Sequence, residues 1–236
     1  MKNNLQFKEE IEQIKDRYDR RNKTAGGKYS PLKIDVVLRK QEFERSLVKI
    51  LRDNFSYHLD SLKLLEVGCG SGINLLGFIE LGFNPENLTG IDLLQERVNK
   101  AKQSLPSQVE IIEGDALKFN CEPESFDIVF QSTVFTSILN EEFKKELADK
   151  MWTWVKTGGG ILWYDFIYNN PSNPDVKGIS FRKIKALFPK AEIYSQKISL
   201  APPLGRFAGK ISPSLYNILG LLPFLRTHVL CWMKKI

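Results

Sequence analysis

Histidine and cysteine are scarce in this chain of 236 residues, with two of the first and three of the second. Cys69, Cys121 and Cys231 are scattered without ligand spacing and odd in number, so neither a disulfide framework nor a metal site is expected and the thiols read as reduced. No uninterrupted apolar run reaches eighteen residues, and Met1 to Glu12 is polar and charged. Neither a spanning helix nor a signal peptide is therefore indicated, and a soluble cytoplasmic protein is the expectation. Internal repeats and low-complexity tracts are also missing. With 42% hydrophobic and 26% charged residues, the composition excludes collagenous and disordered classes and leaves an ordinary globular protein long enough to bury a core.

Acid is scarce in the last quarter. Residues 176–236 hold 11 Lys/Arg against one Asp/Glu, whereas residues 61–175 hold 9 against 17 and residues 1–60 hold 14 against 10. The overall charge of +6 thus conceals segments of +4, −8 and +10. A basic block of this kind either meets something anionic (a phosphorylated small molecule, nucleic acid, a membrane face) or only solvates helix faces.

Two textures divide the chain. Residues 1–60 read as helices: Leu5, Ile11, Ile14 and Tyr18 recur at helical spacing, and a longer periodic run follows Pro31 through Ile34, Leu38, Leu47 and Ile50. Asn22 to Gly27 is a flexible turn by composition. From residue 61 short apolar runs alternate with amphipathic segments. Leu62–Val67, Leu88–Asp92, Val109–Glu113, Phe126–Gln131 and Ile161–Phe166 read as buried strands, Ser180–Phe188 as a short helix, and Ala191–Leu200 and His228–Lys234 as two last strands. The alternation predicts a mostly parallel sheet with helices on both faces.

The stretch Leu64-Leu65-Glu66-Val67-Gly68-Cys69-Gly70-Ser71-Gly72-Ile73-Asn74 has an apolar strand before it and a helix after it. Its glycines can form a tight turn whose bare backbone admits a ligand to a helix N-terminus. A dinucleotide fingerprint puts its third glycine three residues after the second; here it falls two after, which argues against a nicotinamide dehydrogenase. With Glu66 ahead of the first glycine, this G-x-G-x-G form resembles the first motif of the class I S-adenosylmethionine-dependent methyltransferases.

The resemblance runs from about residue 62 to 166 and more weakly to the end. It implies an α/β, Rossmann-like class I methyltransferase fold: a seven-stranded, mostly parallel sheet with an antiparallel last strand, helices on both faces and a helical N-terminal lid. Residues 1–60 would form the lid and residues 61–236 the cofactor-binding domain, with a substrate-facing insertion at 200–227. It assigns Glu66, Gly68, Cys69, Gly70, Gly72 and Asn74 to S-adenosylmethionine at the first strand end. Asp92 falls to the ribose, Leu93 to an adenine face, Asp115 with Ala116 to the adenine amino group, and Gln131 with Ser132 to the methionine half. Taken singly, a glycine turn can be mere packing and a strand-end acid a helix cap; together, in order, they point at one ligand. Cys69 reads as a small buried filler rather than a nucleophile.

Methyl transfer from a sulfonium is an in-line displacement in which alignment and desolvation supply most of the rate, and an alcohol acceptor gains from a positioned base. The fourth strand ends Gln131-Ser132-Thr133-Val134, without the Asn/Asp-Pro-Pro-aromatic signature of amino-nitrogen methylation, and no Pro-Cys pair offers a thiol for pyrimidine C5. O-Methylation of a small-molecule or saccharide acceptor is the resulting expectation. Asp165, at the fifth strand end, is the first candidate base and His228, at the start of the last strand, the second. His58 precedes the first strand and falls at the opposite edge. Tyr18, Arg20, Arg21 and Tyr29 could meet the methionine carboxylate or an anionic substrate. The segment from Leu200 to Arg226 mixes apolar residues with Arg206, Lys210 and Arg226 and reads as an acceptor wall for a phosphate-bearing or carrier-linked substrate, with peripheral membrane association, or as one short helix packed by Leu215, Ile218, Leu219 and Leu222. Nucleic acid as the acceptor, or cofactor binding without transfer, are the alternatives; no oligomeric state follows from the sequence.

Overall fold

The apolar runs pair into one seven-stranded sheet of order β3-β2-β1-β4-β5-β7-β6. The structure, a computed structural model, describes residues 2–24, 27, 30–55, 57–170 and 173–236. Tyr29, Ala25, Gly26, Pro171 and Ser172 lie outside the described residues. The strands are β1 (Leu64–Val67), β2 (Leu88–Asp92), β3 (Glu110–Glu113), β4 (Phe126–Ser132), β5 (Val155–Phe166), β6 (Glu192–Leu200) and β7 (Arg226–Lys234). Those from β1 to β5 pair in parallel, while β7 slots antiparallel between β5 and β6. This is the Rossmann-like arrangement expected. β1 and β2 are buried at every position, which is why they read as continuous apolar runs rather than alternating ones.

Among the described residues eight α-helices surround the sheet: α1 (Lys2–Thr24), α2 (Ile34–Phe55), α3 (Ile73–Glu80), α4 (Gln95–Ser104), α5 (Glu141–Trp154), α6 (Phe181–Leu187), α7 (Pro202–Ile211) and α8 (Pro213–Gly220). Local chemistry sets their starts. Asn140 Oδ1 accepts the Phe143 N–H ahead of the acidic first turn of α5, Ser180 and Ser212 cap α6 and α8 in the same way, and Pro202 and Pro213 open α7 and α8. One face of the sheet (Leu65, Val67, Val129, Trp163, Val229) packs against α1, α5 and α6. The other (Leu64, Ile128, Phe130, Leu162, Leu230) packs against α2, α3 and α4.

The two N-terminal helices therefore go to opposite faces, and only α1 crosses the carboxyl edge of β1 and β2. α1 buries Phe7, Ile11 and Ile14, while Leu5 is exposed. The apolar stripe is offset from the one the sequence suggested, because charged Glu10 and Arg17 are buried on it as a pair. Strand β5 begins six residues earlier than the sequence suggested, at Val155. Its glycines are obligatory: a Cβ on Gly159 would lie 2.4 Å from the Asp127 carbonyl oxygen and one on Gly160 2.6 Å from the Trp232 ring. The 200–227 segment forms two helices and not one, packed on α2 and β6 through Tyr216, Ala208 and Leu38, with Ile218 and Leu222 turned outward.

Candidate active site

From β1 the chain passes outward to β2 and β3, then returns to β4 on the other side of β1. Such a switch opens a crevice beyond the carboxyl ends of the two central strands. The turn leaving β1 is built on Gly68, Gly70 and Gly72 at φ of 71°, 57° and 81°, a region that side chains other than glycine rarely adopt. Space enforces the same choice, since a Cβ on Gly68 would lie 2.4 Å from Val134 Cγ2 and one on Gly72 2.6 Å from Leu105 Cδ1.

One carboxylate fixes the turn. Asp92 Oδ2 accepts the Gly70 N–H and its Oδ1 accepts the Leu94 N–H, both at 2.9 Å, while the Gly68 and Cys69 amides donate to the Ile91 carbonyl. Asp115 Oδ1 accepts the Leu117 N–H at 2.9 Å after β3. Cys69 is buried, and burial pushes its thiol up, away from nucleophilic use.

At the ends of β1 and β4 two side-chain atoms, Glu66 Oε2 and Gln131 Nε2, are buried without partners among the described residues. Their other ends are engaged: Glu66 Oε1 accepts from Asn74 Nδ2 at 2.6 Å, and Gln131 Oε1 from the Val134 N–H at 3.0 Å. Burial pushes the Glu66 carboxyl up to about 8, the Asn74 hydrogen bond opposing and the Asp92 charge adding to the shift. An unmade buried hydrogen bond costs about 1–3 kcal/mol, so these neighbouring strand ends are primed for a ligand bearing a cation or an acceptor.

A cavity opens at the same edge, walled by Val67, Gly68, Asp92, Leu93, Asp115 and Ala116. Ile14 and Tyr18 of α1 and Val134 and Ser137 of the loop after β4 close it. Helix α1 is held down by the Glu10–Arg17 pair at 2.7 Å, with Arg17 also donating to the Ser137 carbonyl and Glu10 accepting the Leu139 N–H. The Tyr18 ring lies between the Arg21 and Arg97 guanidinium groups, 4.0 and 4.2 Å from its centroid. Arg20 instead pairs with Asp175 at an exposed position. Of the residues that hold α1 down, Glu10, Arg17 and Ser137 escaped sequence reasoning. The available signal was Arg17 falling seven residues after Glu10, which puts both charges on the apolar stripe of Phe7 and Ile14.

Asp165 and His228 stand at the carboxyl edge on opposite faces of the sheet. Asp165 faces the α1 side, wholly buried. Its Oδ1 accepts from Thr136 Oγ1 at 2.6 Å and from the Phe166 N–H at 3.0 Å, and its Oδ2 from the Thr136 N–H at 3.2 Å. Burial pushes its carboxyl up to about 7 against those hydrogen bonds. His228 pairs with Phe166 in the sheet and stacks on Tyr164 at 5.1 Å on the α2 side. Burial, with the Arg39 charge, pulls its imidazole down to about 3. Ser132 ends β4 half-buried, and the next residue, Thr133, takes a φ of 58°.

The sheet order and glycine cradle define a class I methyltransferase fold. Residues 64–159 match the family profile described as a methyltransferase domain. The chain is similar to an uncharacterized methyltransferase of Bacillus licheniformis, 28% identical over 108 residues, covering 46% of this chain and 49% of that protein. It spans less than half the length of each of the curated relatives it matches. A S-adenosylmethionine-dependent methyltransferase from Mesorhizobium loti superposes with a TM-score of 0.60 at 13% identity, over 79% of this chain and 96% of that one. The Haemonchus contortus phosphoethanolamine N-methyltransferase 2, solved with S-adenosylmethionine, superposes with a TM-score of 0.57 at 18% identity, over 81% of this chain and 53% of that one. Residues 64–159 thus match a methyltransferase domain, within a fold shared with solved S-adenosylmethionine-dependent methyltransferases.

Proposed function

We propose that the protein transfers the methyl group of S-adenosylmethionine to a hydroxyl of a small-molecule or saccharide acceptor that is anionic or carrier-linked, acting in the cytoplasm. The cofactor supplies an electrophilic methyl on a sulfonium. Asp92 would take the ribose, Asp115 with Leu93 and Ala116 the adenine, and Glu66 and Gln131 the methionine end, with Gly68, Cys69, Gly70, Gly72, Asn74 and Ser132 shaping the cradle. Helix α1, through Ile14 and Tyr18, would exclude water from the reacting groups, and exclusion of water strengthens every charge interaction there.

The observation that carries O-methylation is a carboxyl poised near neutrality, Asp165 at about 7, one residue behind the Ser137 wall of the cavity. A base near the working pH is what attack by a hydroxyl needs. The acceptor proton would pass to the Thr136 hydroxyl oxygen as the proton that Thr136 already shares with Asp165 Oδ1 moves onto the carboxylate. His228, whose imidazole burial pulls down to about 3, is the weaker base of the two and would serve only an acceptor approaching from the α2 side. Initial rates of Asp165→Asn and His228→Ala against a panel of hydroxylated and amino acceptors test the reading. General-base assistance is worth about 10²–10⁴-fold, so a fall below about tenfold in both variants would overturn the base assignment. Turnover confined to amino acceptors would overturn O-methylation.

A further inference from the structure

Large apolar side chains left in solvent are unevenly distributed. Sixteen are exposed among the described residues, and six of these, Phe207, Ile211, Ile218, Leu221, Leu222 and Phe224, fall within one span of eighteen residues. Their spacing is orderly. In α7 the exposed positions are Pro203, Arg206, Phe207, Lys210 and Ile211, a single helical stripe, while Gly205 and Ala208 are buried against the body. In α8 the exposed positions are Pro213, Ser214, Asn217 and Ile218, continued by Leu221 just after it, with Tyr216 and Gly220 buried.

Both inner faces go to the same small core with Leu38 and Leu200, so both outer stripes face away from the protein. The start of α2 adds to them: Leu32 is 90% exposed and Ile34 43%, and α7 lies against Asp35 next in sequence. Exposed Lys33 comes with them. No acidic residue occurs between Glu192 and the end of the chain, and the stripe of α7 itself carries Arg206 and Lys210.

From this we propose that the α7–α8 hairpin is an interfacial membrane anchor that docks on an anionic phospholipid surface. Aromatic and aliphatic side chains flanked by cations, on short helices that lie flat, are the features such a surface selects. Contiguous exposed apolar area at this density is otherwise a liability in a soluble protein. Among the described residues no helix is long and apolar enough to cross a membrane, so the contact is peripheral. The hairpin leaves the sheet after Leu200 and returns at Arg226, beside the end of β5. The hairpin thus sits at the β6–β7 end of the same sheet edge at which the cavity opens. This placement deepens the carrier-linked acceptor reading, yet membrane binding stands on the surface alone and is measured without methyl transfer.

The test is co-sedimentation of the full chain with phosphatidylcholine vesicles containing or lacking phosphatidylglycerol. Binding is expected to the anionic vesicles and to fall by about tenfold or more for Arg206→Glu/Lys210→Glu and for Phe207→Ser/Phe224→Ser. It should also fall as salt shortens the Debye length toward about 3 Å. These side chains are exposed, so unchanged circular dichroism and unchanged binding of S-adenosylhomocysteine separate lost docking from lost folding or a lost cofactor site. Protein that stays in the supernatant with both vesicles overturns the proposal, as does equal sedimentation of the variants. A concentration-dependent dimer that Phe207→Ser dissolves, without lipid binding, would assign the patch to a second copy instead.

Discussion

Replacing Asp92 with alanine should weaken both the fold and cofactor binding, because the proposed site gives one carboxylate two tasks. Each oxygen accepts a backbone N–H, from Gly70 in the turn and from Leu94 at the start of α4. Hydrogen bonds to a charged group are worth about 1.5–3 kcal/mol each, and water entering this edge would recover part of that. A net loss of about 3 kcal/mol is expected, or a fall of about 6–12 °C in Tm at about 2–4 °C per kcal/mol for a chain of this size. The variant should in addition bind S-adenosylhomocysteine about ten- to a hundredfold more weakly, through the lost acceptor for the ribose hydroxyls. Differential scanning calorimetry gives the first quantity and isothermal titration the second. Asp92→Asn should fall between the two proteins, since its amide presents one acceptor and sets an NH2 against the other N–H. A variant with wild-type Tm and wild-type affinity would refute the reasoning; a wild-type Tm with lost affinity would refute the structural half.

Further outcomes follow from other positions. Gly68→Ala should unfold the turn or displace Val134, abolishing S-adenosylhomocysteine binding in calorimetry, whereas Gly70→Ala, with only the Arg97 side chain near its Cβ at 3.9 Å, should fold and bind more weakly. Glu66 holds a carboxyl raised to about 8 from an ordinary 4.5, so the folded state binds its proton more tightly and loses stability as pH rises between those values; Glu66→Gln should flatten that limb of the Tm–pH profile. His228 has the opposite sign: lowered to about 3, it costs stability as pH falls from about 6.5, and His228→Phe should remove that loss in acid denaturation. Arg17→Met leaves Glu10 buried and unpaired, at a cost of about 3–5 kcal/mol in urea unfolding, and Glu10→Gln in the same chain should restore part of it.

The glycine turn and the strand ends beside it were legible because their constraints are local. Gly68, Gly70 and Gly72 need their backbone angles whatever surrounds them, and Glu66, Asp92 and Asp115 end strands whose apolar runs are themselves local signals. The start of β5 was not, since Gly158, Gly159 and Gly160 look like a loop until Asp127 and Trp232 are placed beside them from far along the chain. Glu10 and Arg17 were hidden for the same reason. Charged residues in an amphipathic helix are read as solvated, and only the loop at Ser137 and Leu139, more than a hundred residues away, makes them interior. That Asp165 and His228 occupy opposite faces is a matter of strand register, Asp165 opposite Val229 and Phe166 opposite His228, and no spacing in the sequence reveals it.

The position of β7 bears on how this chain reaches its folded state. Strand β6 has one neighbour in the sheet, β7, which must slide between β6 and β5 to hydrogen-bond both. Until residues 226–234 are available, the edges of β5 and β6 remain open and the apolar faces of Trp163 and Ile198 have no covering strand. Closure of these non-local ladders is slow compared with helix formation, and an unpaired edge is a template for pairing with other chains. During synthesis, β1 to β5 can assemble early while β6 waits for the strand that follows it. Slow steps in refolding, and aggregation when refolding is interrupted, should therefore trace to the insertion of this one strand.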